Sequence, residues 1–239
     1  MIALHRDAPV PDTVKLLIAL AEAGASFDTV AVDTADFAHW SALHREIAPQ
    51  GQVPVLVADG EPMADAQYAL QYVGEACGAA LVPSDPWHWY EIQALNQRLD
   101  AAVGPSVNLL GWTAATDPDE RAAYRARLAA VAEREKPAGW FAVWADAEAD
   151  EDQLANARER IAGALDELEA RLDGADWLVG EAFSLADINA FALVRAVGVV
   201  LPDAVRARPA LTRWYQRMES REAGRKACGD EAMAFAAPA

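Results

Sequence analysis

The sequence predicts an α/β layer followed by an all-helical bundle. Three observations carry this: the hydrophobic period switches repeatedly over the first eighty residues, a proline-marked connection follows, and helical spacing prevails from residue 87 onward. In the first part, Ile2-Ala3-Leu4-His5 is a short apolar start, Val14 to Ala23 a helical stretch, and Phe27 to Val32 an alternation at period two, giving the order β-α-β. Asp12 or Thr13 stands where an N-cap is needed, and Gly24 stands where a residue without a Cβ can turn the chain. A second helical stretch, Asp36 to Ile47, ends before Pro49 and leads into Val53-Pro54-Val55-Leu56-Val57. Asp59-Gly60 separates that run from Glu61-Pro62-Met63-Ala64, a hairpin signal. Asp65 then caps a third helix, Ala66 to Tyr72, with Gly74 near its end.

Pro83 and Pro86 favour an extended connection, so the chain divides into an α/β domain at 1–79, a linker at 80–86 and a helical domain at 87–239. Within the latter, Trp87–Leu99, Asp119–Arg134, Asp152–Leu172, Leu185–Val197 and Pro209–Glu222 show helical spacing. A break at Pro137-Ala138-Gly139 precedes Trp140, Phe141 and Trp144, which read as a loop over a pocket. Ser184 and Asp187 have capping-box spacing, with Phe183 and Ile188 as the accompanying hydrophobic staple. That is a folding device and carries no catalytic role.

Composition narrows the function. With 239 residues, 53% hydrophobic and 24% charged, the chain is globular rather than disordered. Its 20 Lys+Arg against 37 Asp+Glu leave a net charge of −17, which argues against nucleic acid or an anionic membrane surface as partner. Cys77 and Cys228 form no CxxC pair, and no His/Cys cluster has metal-ligand spacing, so no metal site and a reducing compartment are expected. Arg6, Asp7, Asp12 and Lys15 interrupt the first twenty residues, where a signal peptide would need an apolar run, and the cytoplasm is the expected location.

Two segments resemble the cytosolic glutathione transferases, theta/nu-like: Ile47-Ala48-Pro49-Gln50-Gly51-Gln52-Val53-Pro54-Val55-Leu56 with the Asp59-Gly60 hairpin, and Trp177 to Ile188. The resemblance covers nearly the whole chain. It implies a thioredoxin-like N-terminal domain, an all-helical C-terminal domain, a homodimer, glutathione as cofactor and a role in detoxification. Val53-Pro54 resembles the family's cis-proline turn, where the Val53 backbone would pair with the cysteinyl unit of glutathione. Gln52 would donate to the glycyl or cysteinyl end. Asp65-Ala66 falls where the γ-glutamyl end rests, Asp65 serving as binding group or as N-cap, and Ala66 replaces the usual Ser. His39 falls where theta-like members contact the glycyl carboxylate, and fits equally a solvated helix position.

A free thiol, of pKa about 8.5, needs a donor to ionise at neutral pH. No Tyr, Ser or Cys precedes Ser26, so Thr13 matches the family's serine position, with N-capping as its other role. The missing N-terminal cysteine argues against thiol-disulfide exchange. The resemblance places a hydrophobic pocket between the domains, lined by Ala8, Pro9 and Val10, by Asn108 and Trp112, and closed by Trp140 and Trp144 with Phe141 and Phe235. The implied reaction sets the glutathione thiolate on a small hydrophobic electrophile, aromatic by preference. A narrower resemblance, through Gly51-Gln52-Val53-Pro54, the long segment 113–150 and Thr13, is to bacterial glutathione-dependent β-etherases, which makes a β-aryl ether lyase one alternative. A non-catalytic binding or scaffolding protein is another, because Thr13 and Ala66 both depart from the usual hydroxyl pattern.

Overall fold

The computed structural model describes residues 1–77, 80–135 and 149–228. A four-stranded sheet of order β2-β1-β3-β4 forms from β1 (Ile2–Arg6), β2 (Phe27–Ala31), β3 (Val55–Ala58) and β4 (Glu61–Met63). β1 pairs parallel with β2, Ile2 opposite Phe27, and antiparallel with β3, where Leu4 meets Leu56. Both leucines are fully buried, so the register that the apolar pattern favours is also the one that fills the core. At the hairpin, Asp59 and Gly60 both have positive φ, 50° and 92°, which suits an Asp-Gly turn that follows the strands' own twist.

α1 spans Pro11–Glu22 and starts earlier than the apolar spacing implies. Neither Asp12 nor Thr13 is its cap: Val10 holds that position, and Pro11 opens the helix, where a fixed φ and a missing N–H cost nothing. The helix expected over Asp36 to Ile47 is broken. A 3₁₀ turn at Ala38–Trp40 and a short α2 (Ala42–Arg45) replace it, because Phe37 takes a left-handed φ of 57° while its ring is buried, and Ser41 then caps a new helix start. α3 (Ala66–Ala76) begins at Asp65 as expected but runs past Gly74. A Cβ at Gly74 would lie 2.8 Å from Leu185 Cδ1 and 2.9 Å from Val82 Cγ2, so this glycine serves close packing and does not end the helix.

No strand follows Met63 among the described residues, and helices make up what remains: α4 (Pro86–Ala115), α5 (Pro118–Glu135), α6 (Glu151–Arg171), α7 (Leu185–Val200), α8 (Pro202–Arg206), α9 (Pro209–Ser220) and α10 (Glu222–Cys228). α4 is far longer than the expected Trp87–Leu99 because it continues through Pro105. A proline there leaves the carbonyl four residues back without its usual donor. That carbonyl, on Ala101, accepts instead from the Arg160 guanidinium of α6. Ile92, Leu95, Leu99, Val103, Val107 and Leu110 recur at helical spacing as the buried stripe of α4, which packs on α6 and α7. α1 packs on α3, α7 and α10, so one hydrophobic core joins the sheet layer to the helices.

Candidate active site

The Val53-Pro54 peptide bond is cis. Its loop is held by two elements of the preceding segment. His44 is buried and its Nε2 lies 2.9 Å from the Gln52 carbonyl oxygen, which requires Nε2 to carry the proton. Gly51, at φ 70°, lies flat against Trp40, and a Cβ there would be 3.1 Å from the ring. The Gln52 amide exchanges hydrogen bonds with Gln50, accepting from its backbone N–H and donating to Gln50 Oε1, each at 3.2 Å. Beyond the β3–β4 hairpin, Asp65 Oδ1 accepts from the Gln67 and Tyr68 N–H groups at 2.8 and 3.0 Å. The N-cap role of Asp65 is thus real. The amides of Gln67 and Tyr68 are occupied by it, and the start of α3 at Ala66 is the part of the helix beside the cap.

Thr13 lies in the first turn of α1 and is fully buried, and its Oγ1 has no hydrogen-bond partner among the described residues. Before it, Ala8 and Val10 close a tight turn through a 2.8 Å bond, with Pro9 buried between them. Asp12 pairs with Lys15 at 2.7 Å, and Lys15 Nζ also reaches Asp100 Oδ2 of α4 at 3.5 Å. Burial alone would pull the Lys15 ammonium down, but the two carboxylates hold it above its ordinary value. Burial pushes the Asp100 carboxyl up, against the pull of Lys15. Gln67 Nε2 donates to Asp100 and lies 3.2 Å from Asn189 Oδ1 on α7. The starts of α1 and α3 are therefore joined through a part-buried polar chain to α4 and α7.

His39 is half-buried, and burial, aided by His44, drops its pKa to about 4, so the imidazole is neutral at physiological pH. Its Nδ1 is buried without a partner among the described residues. A line of rings runs from it: Trp40 to His39 at 5.4 Å, His39 to Phe37 at 6.1 Å, Phe37 to Tyr124 at 5.3 Å and Tyr124 to Trp112 at 5.0 Å. Arg127 lies over Phe37 at 5.2 Å and binds the Ala35 carbonyl and Asp36, clamping α5 onto the first domain. Asn108, one turn before Trp112, keeps a buried Oδ1 without a partner among the described residues. Trp140, Trp144, Phe141 and Phe235 lie outside the described residues.

The structure thus brings His39 and Trp112 into one aromatic line, and links Thr13 to the Asp65-Ala66 step through Lys15, Asp100 and Gln67. Sequence reasoning missed His44, Phe37, Tyr124, Lys15, Asp100, Gln67 and Asn189. Two of these had a signal: Asp12 and Lys15 are opposite charges three apart on a helix, and Asp100 is a lone acid beside the apolar stripe Leu95-Leu99-Val103.

The sheet of order β2-β1-β3-β4, with its cis-proline loop, and the helices after it coincide with two family models. The N-terminal domain model of glutathione S-transferase matches residues 7–75 and the C-terminal domain model matches residues 131–222. The chain belongs to the glutathione S-transferase family. It is a glutathione S-transferase, with the thioredoxin-like and helical domains of that family and with glutathione as cofactor. Protein LigF of Sphingobium sp. is 25% identical over 237 residues, spanning 92% of this chain and 90% of LigF. The crystal structure of beta-etherase LigF from Sphingobium sp. strain SYK-6 superposes with a TM-score of 0.78 at 24% identity, over 95% of this transferase and 98% of that chain. A Methylobacterium radiotolerans glutathione S-transferase, solved in complex with glutathione sulfonate, gives a TM-score of 0.73 at 24% identity, over 98% and 97% of the two chains. Among the described residues no helix is long and apolar enough to cross a membrane, and no group of His, Cys, Asp or Glu is arranged to hold a metal ion.

Proposed function

We propose that this transferase binds glutathione along Gln52, Val53, Pro54, Asp65 and Ala66, with His39 at the glycyl carboxylate, and that Thr13 activates the sulfur. The observation that carries the reading is the Thr13 hydroxyl, buried in the first turn of α1 and without a partner among the described residues. A buried hydroxyl lacking an acceptor is costly, and a thiolate at the helix start supplies one. The helix dipole favours negative charge at the same end. Val53 offers its backbone to the cysteinyl unit as a strand offers its edge, and Asp65 receives the glutamyl ammonium. His39, neutral and with a buried Nδ1, donates a hydrogen bond and forms no ion pair.

The electrophile is small and aromatic, and we assign its pocket to the space between Ala8, Pro9 and Val10 on one side and Asn108 and Trp112 on the other. Support comes from the run of rings ending at Trp112. A second reading, β-aryl ether cleavage, is favoured by the similarity to LigF over nine-tenths of both chains. There the glutathione sulfur attacks the carbon bearing the aryloxy group, the C–O bond breaks with its electron pair, and the phenoxide leaves and takes a proton from water. The domain limits 1–79, 80–86 and 87–239, a homodimer and a cytoplasmic location complete the proposal.

Thr13→Val tests it. A hydrogen bond to a charged group contributes about 1.5–3 kcal/mol, so turnover should fall about 10- to 100-fold and the bound-thiol pKa should rise, while Thr13→Ser keeps most of the activity. Unchanged rate and pKa in Thr13→Val would sink the assignment. Assaying simple aryl halides beside β-aryl ethers separates the two readings of the electrophile.

A further inference from the structure

We propose that Lys15 is a positioning residue whose ammonium cancels the Asp12 carboxylate at the start of α1, so that the glutathione sulfur can ionise there. This rests on the reading of Thr13 given above. Asp12 adjoins Thr13 in the first turn of α1, and an anion beside a forming thiolate opposes its ionisation. The chain therefore carries a charge of the wrong sign next to the residue that would hold the sulfur.

Lys15 answers it in a way that an exposed lysine would not. Its side chain is 2% exposed, against 49% for Asp12 and 26% for Asp100, and its Nζ lies 2.7 Å from Asp12 Oδ1 and 3.5 Å from Asp100 Oδ2. An exposed i,i+3 pair is screened by water and exchanges partners freely. A buried ammonium is screened far less and stays charged only because carboxylates surround it. Asp100 is itself fixed by Gln67 Nε2, two residues beyond the Asp65 cap, and Gln67 also contacts Asn189 at 3.2 Å. The positive charge is thereby fixed in the opening turns of α1, against Asp12. Of the elements packed on α1, α3 and α7 bring the neutral Gln67 and Asn189, α10 brings Glu222, Arg225 and Lys226, of which Lys226 pairs with Glu222 at 2.6 Å, and Asp100 reaches Lys15 from α4. Glu22, at the far end of α1, is matched by Arg221 at 2.6 Å.

The test is the pKa of glutathione's thiol in its complex with the full-length enzyme, read from the ultraviolet absorbance of the thiolate across a pH series, together with KM and kcat. Lys15→Met should raise that pKa by about one unit and lower kcat at neutral pH, and Lys15→Arg should restore both. Asp12→Asn placed in the Lys15→Met background should bring the pKa back toward the original value, which repair of a merely structural defect would not do. Glu22→Gln removes an ion pair from the same helix and should leave the pKa where it was.

An unchanged pKa in Lys15→Met, no recovery in the double variant, or an equal rise in Glu22→Gln overturns the proposal. Should Lys15→Met fail to fold, Asp12→Asn alone decides: a lowered thiol pKa supports the proposal, and an unchanged or raised one overturns it. A rise in Lys15→Met with none in Thr13→Val rejects Thr13 as donor and retains Lys15. The converse retains Thr13 and rejects Lys15.

Discussion

An imidazole set between the Phe37 and Trp40 rings loses the water that would solvate its cation, and His39 is held neutral for that reason, with its pKa at about 4. The unfolded chain, with an ordinary histidine near 6.5, binds the proton more readily than the fold does. The contribution of His39 to stability is therefore fully present above pH 6.5 and is lost as the pH falls through about 4. Replacing it with Gln should remove this dependence. The difference in unfolding free energy between the original protein and His39→Gln, from urea titrations at several pH values, should widen as pH rises from 4 to 6.5. A constant difference would show that His39 titrates normally. The sequence named His39 through a family resemblance, but its protonation state depends on neighbours that no local pattern reveals.

Among the helix starts, that of α7 is the most thoroughly built. Asp187 accepts from the Ser184 N–H at 3.0 Å, the Leu178 N–H at 3.1 Å and the Trp214 indole N–H at 2.9 Å, all buried. The first of these belongs to the capping box that the spacing predicted. The other two tie the helix start to the preceding loop and to α9. Asp187→Ala strands three buried donors, so it should cost about 3 kcal/mol or more of stability, well beyond the 0.5–2 kcal/mol of an ordinary cap. Chemical denaturation measures it, and a loss under about 1 kcal/mol would reduce the residue to a simple cap. α4 shows the opposite relation to sequence. The helical spacing begins it at Trp87 and leaves Asp85 and Pro86 in the linker, whereas Asp85 caps it and Pro86 opens it; its passage through Pro105 depends on Arg160, 55 residues away in the chain and on another helix.

For the molecule as a whole, the proposed homodimer has a physical motive in the exposed aromatics of α4 and α3. Trp87 and Tyr90 are 66% and 61% exposed with rings 5.5 Å apart, and Tyr68 is 70% exposed. Large aromatics left in water mark surfaces that gain by association. Sedimentation at micromolar concentration should give twice the chain mass of 25.7 kDa, and replacing Trp87 and Tyr90 by Ser should shift the species toward monomer. A monomer for the unaltered chain would refute the dimer.

Short-range chemistry was enough to determine the order of the strands along the chain, the Asp-Gly hairpin, the Asp65 cap and the Ser184–Asp187 box, because each depends on residues within a few positions of one another. Thr13, Gln52 and Val53 became nameable as candidates through the family resemblance, by the positions they match. Tertiary structure decided the rest. Whether Asp12 caps a helix or pairs with a buried lysine, whether the chain around Phe37 forms one helix or two broken turns, and which rings line up between His39 and Trp112 are set by contacts between distant segments. Their energies come from burial and from charges that only folding brings within a few ångströms, so no reading confined to neighbours along the chain contains them.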